Sequence, residues 1–174
     1  CKVSIHDLDG FAVVDKVAQK VKSTDVVEYW KSAPYLLNLM EDYDLKRKFK
    51  EALKNEVTKR FFLGLIKSSR KKMLQWDRIQ KYKEIEPANA KIRMLMENDL
   101  DKGSWQLLWV PPSLPYYRPE GIYADKNLQN YTKSLIFSSW KVVPKAIAML
   151  CSYETERRMT KGFPGLGIDY DDVT

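Results

Sequence analysis

Apolar positions in this chain recur mostly every three to four residues, the spacing of one face of a helix. Between residues 7 and 22, Phe11, Val14, Val17, Ala18 and Val21 follow that spacing, and Asp7 stands where an N-cap would begin the helix. Gly10 weakens its first turn. Ser23-Thr24-Asp25 offers a second start, for the short aromatic segment 26–31. Pro34 suits the first turn of a helix reaching about Met40, with Leu36, Leu37 and Met40 inward. From Leu45 to Tyr82 the pattern is helical in two or three pieces, with breaks at Gly64 and Ser68-Ser69. Phe49, Leu53, Val57 and Phe61 mark its stripe. Pro87 opens a helix over 87–100 that carries Ile92, Leu95, Met96 and Leu100, and Lys102-Gly103 ends it.

The period changes beyond Gly103. Residues 105–110 predict a strand, which Pro111, Pro112 and Pro115 stop. Tyr116 to Gly121 read as loop, and 125–131 as a helical turn. Leu135-Ile136-Phe137 is a short apolar run, predicting a strand over 134–138. A helix over 142–159 follows, and its Val143, Ala146, Ile147, Leu150 and Tyr153 suit packing against a sheet. The tail 161–174 carries Gly162, Pro164, Gly165, Gly167 and an acidic end, and reads as flexible. The fold class is therefore mainly α, with a small β element near 105–110 and 134–138.

At 44% hydrophobic, the 174 residues can supply a core, which excludes wholesale disorder. Charge adds more. The formal net charge is +7, and residues 44–83 hold 14 Lys/Arg against 4 Asp/Glu. The whole surplus sits in one quarter of the chain and favours a polyanionic partner. Within it, Lys67-Ser68-Ser69-Arg70-Lys71-Lys72 is the densest stretch. It reads either as a solvated helix face or as a phosphate contact, and Trp76 and Tyr82 nearby suit core packing or base stacking. Glu154 and Arg158 have the spacing of a surface ion pair.

The sequence offers no autonomous catalytic site. There is no GxxxxGK[ST] phosphate loop, and Ser138-Ser139 lack a Gly-x-Ser-x-Gly elbow. His6 is the only histidine and has no ligand cluster for a metal, so no metal site is expected. Cys1 and Cys151 lack metal spacing, which points to a reducing, cytoplasmic setting with Cys151 as a core thiol. No apolar run approaches membrane-spanning length, and no membrane partner is expected. The rigid segment Pro111-Pro112-Ser113-Leu114-Pro115-Tyr116-Tyr117 is expected to dock on its own core.

One resemblance organises these readings. Lys133-Ser134-Leu135-Ile136-Phe137-Ser138-Ser139-Trp140 resembles motif IV, the strand that opens the second RecA-like domain in superfamily 2 helicases, in particular the Swi/Snf-like ATPases. Val142 to Leu150 is similar to the helix that follows there, and Asn89 to Leu95 looks like the short lysine–leucine helix upstream. Together with Glu28 to Leu37, Leu108 to Tyr117 and Ser152 to Arg158, the pattern resembles large bacterial helicase-like proteins. The resemblance implies a piece of a DNA-dependent ATPase, consistent with a first residue of Cys1. Residues 1–100 would be a helical inter-lobe region. Residues 101–174 would open the second lobe, with a loop insertion at 111–131 and the tail 161–174. It further implies DNA and the remaining RecA-like lobes as partners. Lys67, Arg70, Lys71, Lys72, Ser138 and Ser139 would be candidate nucleic-acid contacts. ATP and Mg would belong to the full-length protein. The Walker A, acidic and arginine-finger motifs are missing here, so these residues alone are expected to be inactive in ATP hydrolysis. The alternative is a self-contained helical protein-interaction module.

Overall fold

Ser4 begins the first helix, α1 (Ile5–Val21), through a capping box. Its Oγ accepts from the Asp7 amide at 3.3 Å, and the Ser4 amide donates to Asp7 Oδ2 at 2.7 Å. Asp7 is thus the third helical residue and not the N-cap its position suggested. The computed structural model describes residues 2–24, 26, 30–31, 34–35, 43–69, 74–107, 110, 114, 116–128 and 131–162. Among them follow α2 (Asp44–Ala52), α3 (Glu56–Ser68), α4 (Trp76–Gln80), α5 (Ala90–Asn98) and α6 (Val142–Gly162). Short 3-10 turns lie at Ser104–Gln106 and Gly121–Ala124. The helix expected from Pro34 falls mostly outside the described residues, and Tyr35 turns with φ 58°.

The fold is mainly α, as the periodicity requires. Val13, Val17 and Ala18 of α1, Leu45 and Phe49 of α2, Phe62 of α3, and Val142, Val143 and Ala146 of α6 share one core. The stripe expected through Val57 and Phe61 does not hold. The chain breaks helix at Leu53–Asn55, where Asn55 caps α3 by accepting from the Val57 amide at 2.9 Å. That break resets the helical phase. Phe62 is fully buried, while Val57 is 77% exposed. Gly64, expected as a break, lies inside α3. A second cluster joins Ile92, Met96 and Leu100 to Leu150 of α6, with Trp105, Ile147 and Cys151 against it. Cys151 is a half-buried free thiol, and burial raises its pKa.

Two charged clusters tie these layers together. Arg93 of α5 grips Asp7 of α1 with two bonds, Nη1–Oδ1 and Nη2–Oδ2, each 2.6 Å. The same guanidinium donates to the carbonyls of Pro87 at 2.7 Å and Lys2 at 3.1 Å. Within α6, Glu154 accepts from Arg157 and Arg158 at 2.7 Å, and Arg158 also bonds Asp101. The expected pair of Glu154 with Arg158 forms, but Glu154 is buried and also holds the buried Arg157, so one end of it is internal. Burial alone would raise the Glu154 pKa, but the hydrogen bonds from both arginines outweigh it and hold the group lowered. Tyr153 extends the clamp by donating to the Lys83 carbonyl at 2.7 Å and stacking on Tyr82.

The β element is not formed among the described residues. Gly103, at φ 95°, turns the chain into the 3-10 turn at Ser104–Gln106 where a strand was expected, and residues 108 and 109 lie outside the described set. Residues 131–138 run without a turn or bend, but no neighbouring strand pairs with them. A strand needs a ladder partner, and here none is supplied. α6 consequently packs on helices rather than on a sheet. It continues to Gly162, and the rest of the expected flexible tail lies outside the described residues. No helix among the described residues is long and apolar enough to cross a membrane.

Two outcomes test this packing. Phe62→Ala should cost about 3–5 kcal/mol in urea unfolding, whereas Phe61→Ala should cost about 1 kcal/mol or less. The reverse ranking would refute the phase assigned to α3. The hydrogen bonds from Arg93 lead the causes that lower the Asp7 pKa. A lowered folded-state value means this stabilisation is complete above the ordinary carboxylate pKa of about 3.9 and is lost as pH falls through the folded value. Asp7→Asn should therefore cost about 3 kcal/mol at pH 7 by stranding Arg93, and should flatten the acid limb of stability against pH. An unchanged acid limb would remove Asp7 as its source.

Candidate nucleic-acid interface

Helices α2 and α3 anchor in the core through Leu45, Phe49 and Phe62 and carry most of their charges outward, while Val57, Phe61 and Leu63 of α3 also stay exposed. Leu45 and Phe49, four residues apart, enter the core from α2. Phe62 does so from α3, packed edge-on against Phe49 with ring centroids 4.9 Å apart. Residues 44–69 carry eight Lys/Arg against three Asp/Glu. Asp44 neutralises Lys48 at 2.7 Å and Arg47 at 2.6 Å, and Lys48, then Arg47, lower its pKa. Glu56 holds Lys59 at 3.0 Å. Lys50, Lys54, Arg60 and Lys67 remain exposed and without an ion pair among the described residues. This leaves a cationic face on two anchored helices.

An aromatic ring lies at the edge of that face. Phe61 is 44% exposed, and Lys20 of α1 sits 5.3 Å from its ring centroid. Trp76, for which core packing was one expectation, is 68% exposed at the start of α4. Tyr82 is half-buried against Tyr153, as packing required. The resulting chemistry, helix-borne cations with the exposed rings of Phe61 and Trp76, suits a phosphate backbone and unstacked bases.

The residues singled out from sequence divide across this surface. Lys67 is exposed near the end of α3, while Arg70, Lys71 and Lys72 lie outside the described residues. The Ser68 hydroxyl donates to the Leu65 carbonyl at 2.9 Å, and Ser69 is the buried C-cap. Ser138 and Ser139 are exposed just before α6, and Ser138 Oγ accepts from the Trp140 amide at 3.1 Å. Trp140 packs on Tyr43, whose hydroxyl accepts from the Val142 amide at 3.2 Å. Those serines therefore adjoin the start of α2, and no hydrogen bond or ion pair links them to Lys67 among the described residues. Sequence reasoning named the basic region but not Lys50, Lys54 and Arg60. Their positions on the polar sides of α2 and α3 were the available signal.

Elsewhere the surface shows less chemistry. His6 lines a polar cavity of about 220 Å³ with Tyr35, Arg78, Glu84 and Glu86. No group of three metal-ligating side chains occurs among the described residues. A larger, mainly apolar cavity of about 510 Å³ opens between α5, α6 and the run before Trp140, lined in part by Leu95, Ile136 and Ile147. Leu114, Tyr116 and Tyr117 of the proline segment are exposed rather than docked on the core. Compared with family models, curated proteins and solved structures, the chain has no match.

Proposed function

We propose that this chain contacts nucleic-acid phosphate through α2, α3 and the Lys67–Lys72 stretch. We place it as the helical inter-lobe part of a helicase-like, DNA-dependent ATPase of Swi/Snf type. The observation that carries the first part is the exposed set Lys50, Lys54, Arg60 and Lys67, without an ion pair among the described residues and held on helices that enter the core through Leu45, Phe49 and Phe62. Cations fixed on a folded scaffold neutralise phosphates with little further ordering of backbone. The second part rests on the sequence resemblance. In that reading the region couples two motor lobes, and residues 134–138 become a strand of the second lobe once a neighbouring strand pairs with them. ATP and Mg are then handled by residues outside this chain, which hydrolyses nothing alone.

A second reading has its own support. Leu114, Tyr116 and Tyr117 are 83%, 102% and 61% exposed, and rigid, exposed aromatic segments serve protein partners. In that reading the chain is a helical interaction module without catalysis.

Fluorescence anisotropy with duplex and single-stranded oligonucleotides separates the two. Four phosphate contacts predict a slope of log affinity against log salt of about −3.6, or roughly a hundredfold loss between 50 and 200 mM. Lys50→Glu with Lys54→Glu should weaken binding at least about tenfold and make the slope shallower, as should Lys71→Glu with Lys72→Glu. No binding to either form at 50 mM salt would favour the interaction module.

A further inference from the structure

Among the described residues, 131–138 have no neighbouring strand. The backbone groups of 132–138 make no hydrogen bond to other main chain among the described residues. Side chains there alternate as on a strand. Ser134, Ile136 and Ser138 line the 510 Å³ cavity over α5 and α6. Leu135 is 76% and Phe137 89% exposed, although Phe137 also borders the cavity. Ser134 is tethered, its hydroxyl reaching the Asp99 carboxylate at 3.0 Å. The result is an exposed segment without turn or bend, bearing two large apolar side chains in solvent and no main-chain hydrogen bond among the described residues. Proteins ordinarily cover, charge or shorten such an edge because it templates pairing.

The segment is also complementary to itself. Laid antiparallel about Ile136, Leu135 falls opposite Phe137 and Ser134 opposite Ser138, each twice. Lys133 falls opposite Ser139, so no lysine meets its own copy. Apolar residues meet apolar and small polar residues meet small polar, which is what a two-fold isologous interface demands. We propose that two copies of this chain pair through residues 134–138, forming a two-stranded antiparallel ribbon across a two-fold axis at Ile136. Leu135 and Phe137 of both copies make one apolar patch on its outer face. Five residues on each copy make a contact no larger than the roughly 1,000 Å² in total that a specific interface needs, so the dimer is weak. This inference concerns a different surface from the phosphate contact and does not rest on it.

Salt separates the two interactions. Each copy carries a formal +7 charge, so pairing brings like charges together and strengthens as salt screens them, whereas phosphate binding weakens. Sedimentation velocity of the whole chain from about 1 to 500 μM should show a monomer–dimer equilibrium with Kd on the order of 10–100 μM, tightening from 50 to 300 mM NaCl. Hydrogen exchange should slow at 132–138 as concentration rises. Leu135→Lys with Phe137→Lys should raise Kd at least about tenfold with helix content by circular dichroism unchanged, since both side chains are exposed. Leu135→Pro and Ile136→Pro should differ in effect, because alternate amides point to opposite sides of a strand. A monomer at 500 μM would overturn the proposal. So would a dimer indifferent to the lysine pair, or exchange at 132–138 already slow in the dilute chain.

Discussion

The arrangement depends first on the grip of Arg93 on Asp7. Asp7 is almost wholly removed from water, and an ionised carboxylate there is tolerable only because two guanidinium bonds and the Ser4 amide replace its hydration. That requirement acts over a sequence gap of 86 residues. It sets α1 against the start of α5 and holds Pro87 and Lys2 in the same knot. α1 is also the element whose Val13, Val17 and Ala18 seat α2, α3 and α6. An ion pair adds little net stability compared with an apolar packing of the same volume, yet it penalises every arrangement that separates its members. Its contribution here is to select one docking of α1 over its alternatives.

Placement of the cations follows from that docking. Eight Lys/Arg in 26 residues repel one another, and α2 and α3 would be poor helices alone. Burial of Leu45, Phe49 and Phe62 offsets the repulsion, and Asp44, Glu56 and the ring of Phe49 absorb part of it locally. What remains unneutralised is concentrated on the exposed sides. A fixed cationic face differs physically from the same lysines on a loose segment: the backbone that carries them is ordered in folding, before any polyanion arrives.

Much of this was legible in the sequence, and the parts that were not share a cause. Helix content, the division of 45–82 into pieces and the buried side of α6 follow from local periodicity. Phase across a break does not, which is why Phe61 was expected inside and Phe62 is there. Long-range polar pairing is likewise invisible to a local pattern. Nothing near Asp7 announces Arg93, and the spacing of Glu154 and Arg158 announces a pair but not the burial of Glu154 or the reach of Arg158 to Asp101. At the candidate interface the density of charge was plain, but which cations stay unpaired depended on where Asp44 and Glu56 reach.

The run at 134–138 shows the limit most sharply, because there local composition is right and still insufficient. Leu-Ile-Phe favours a pleated, half-buried surface, and the chain does pass from 131 to 138 without a turn or bend. A helix satisfies its own backbone, whereas a strand takes all its ladder hydrogen bonds from neighbouring strands. The same five residues can therefore be a helix-flanking edge in one setting and an interior strand in another, without any change in local preference. The proposed lobe strand and the proposed pairing of two copies both answer this one requirement. Which is realised depends on which strand lies within reach, and the underlying sequence property, a strand that lacks its partner, is common to both.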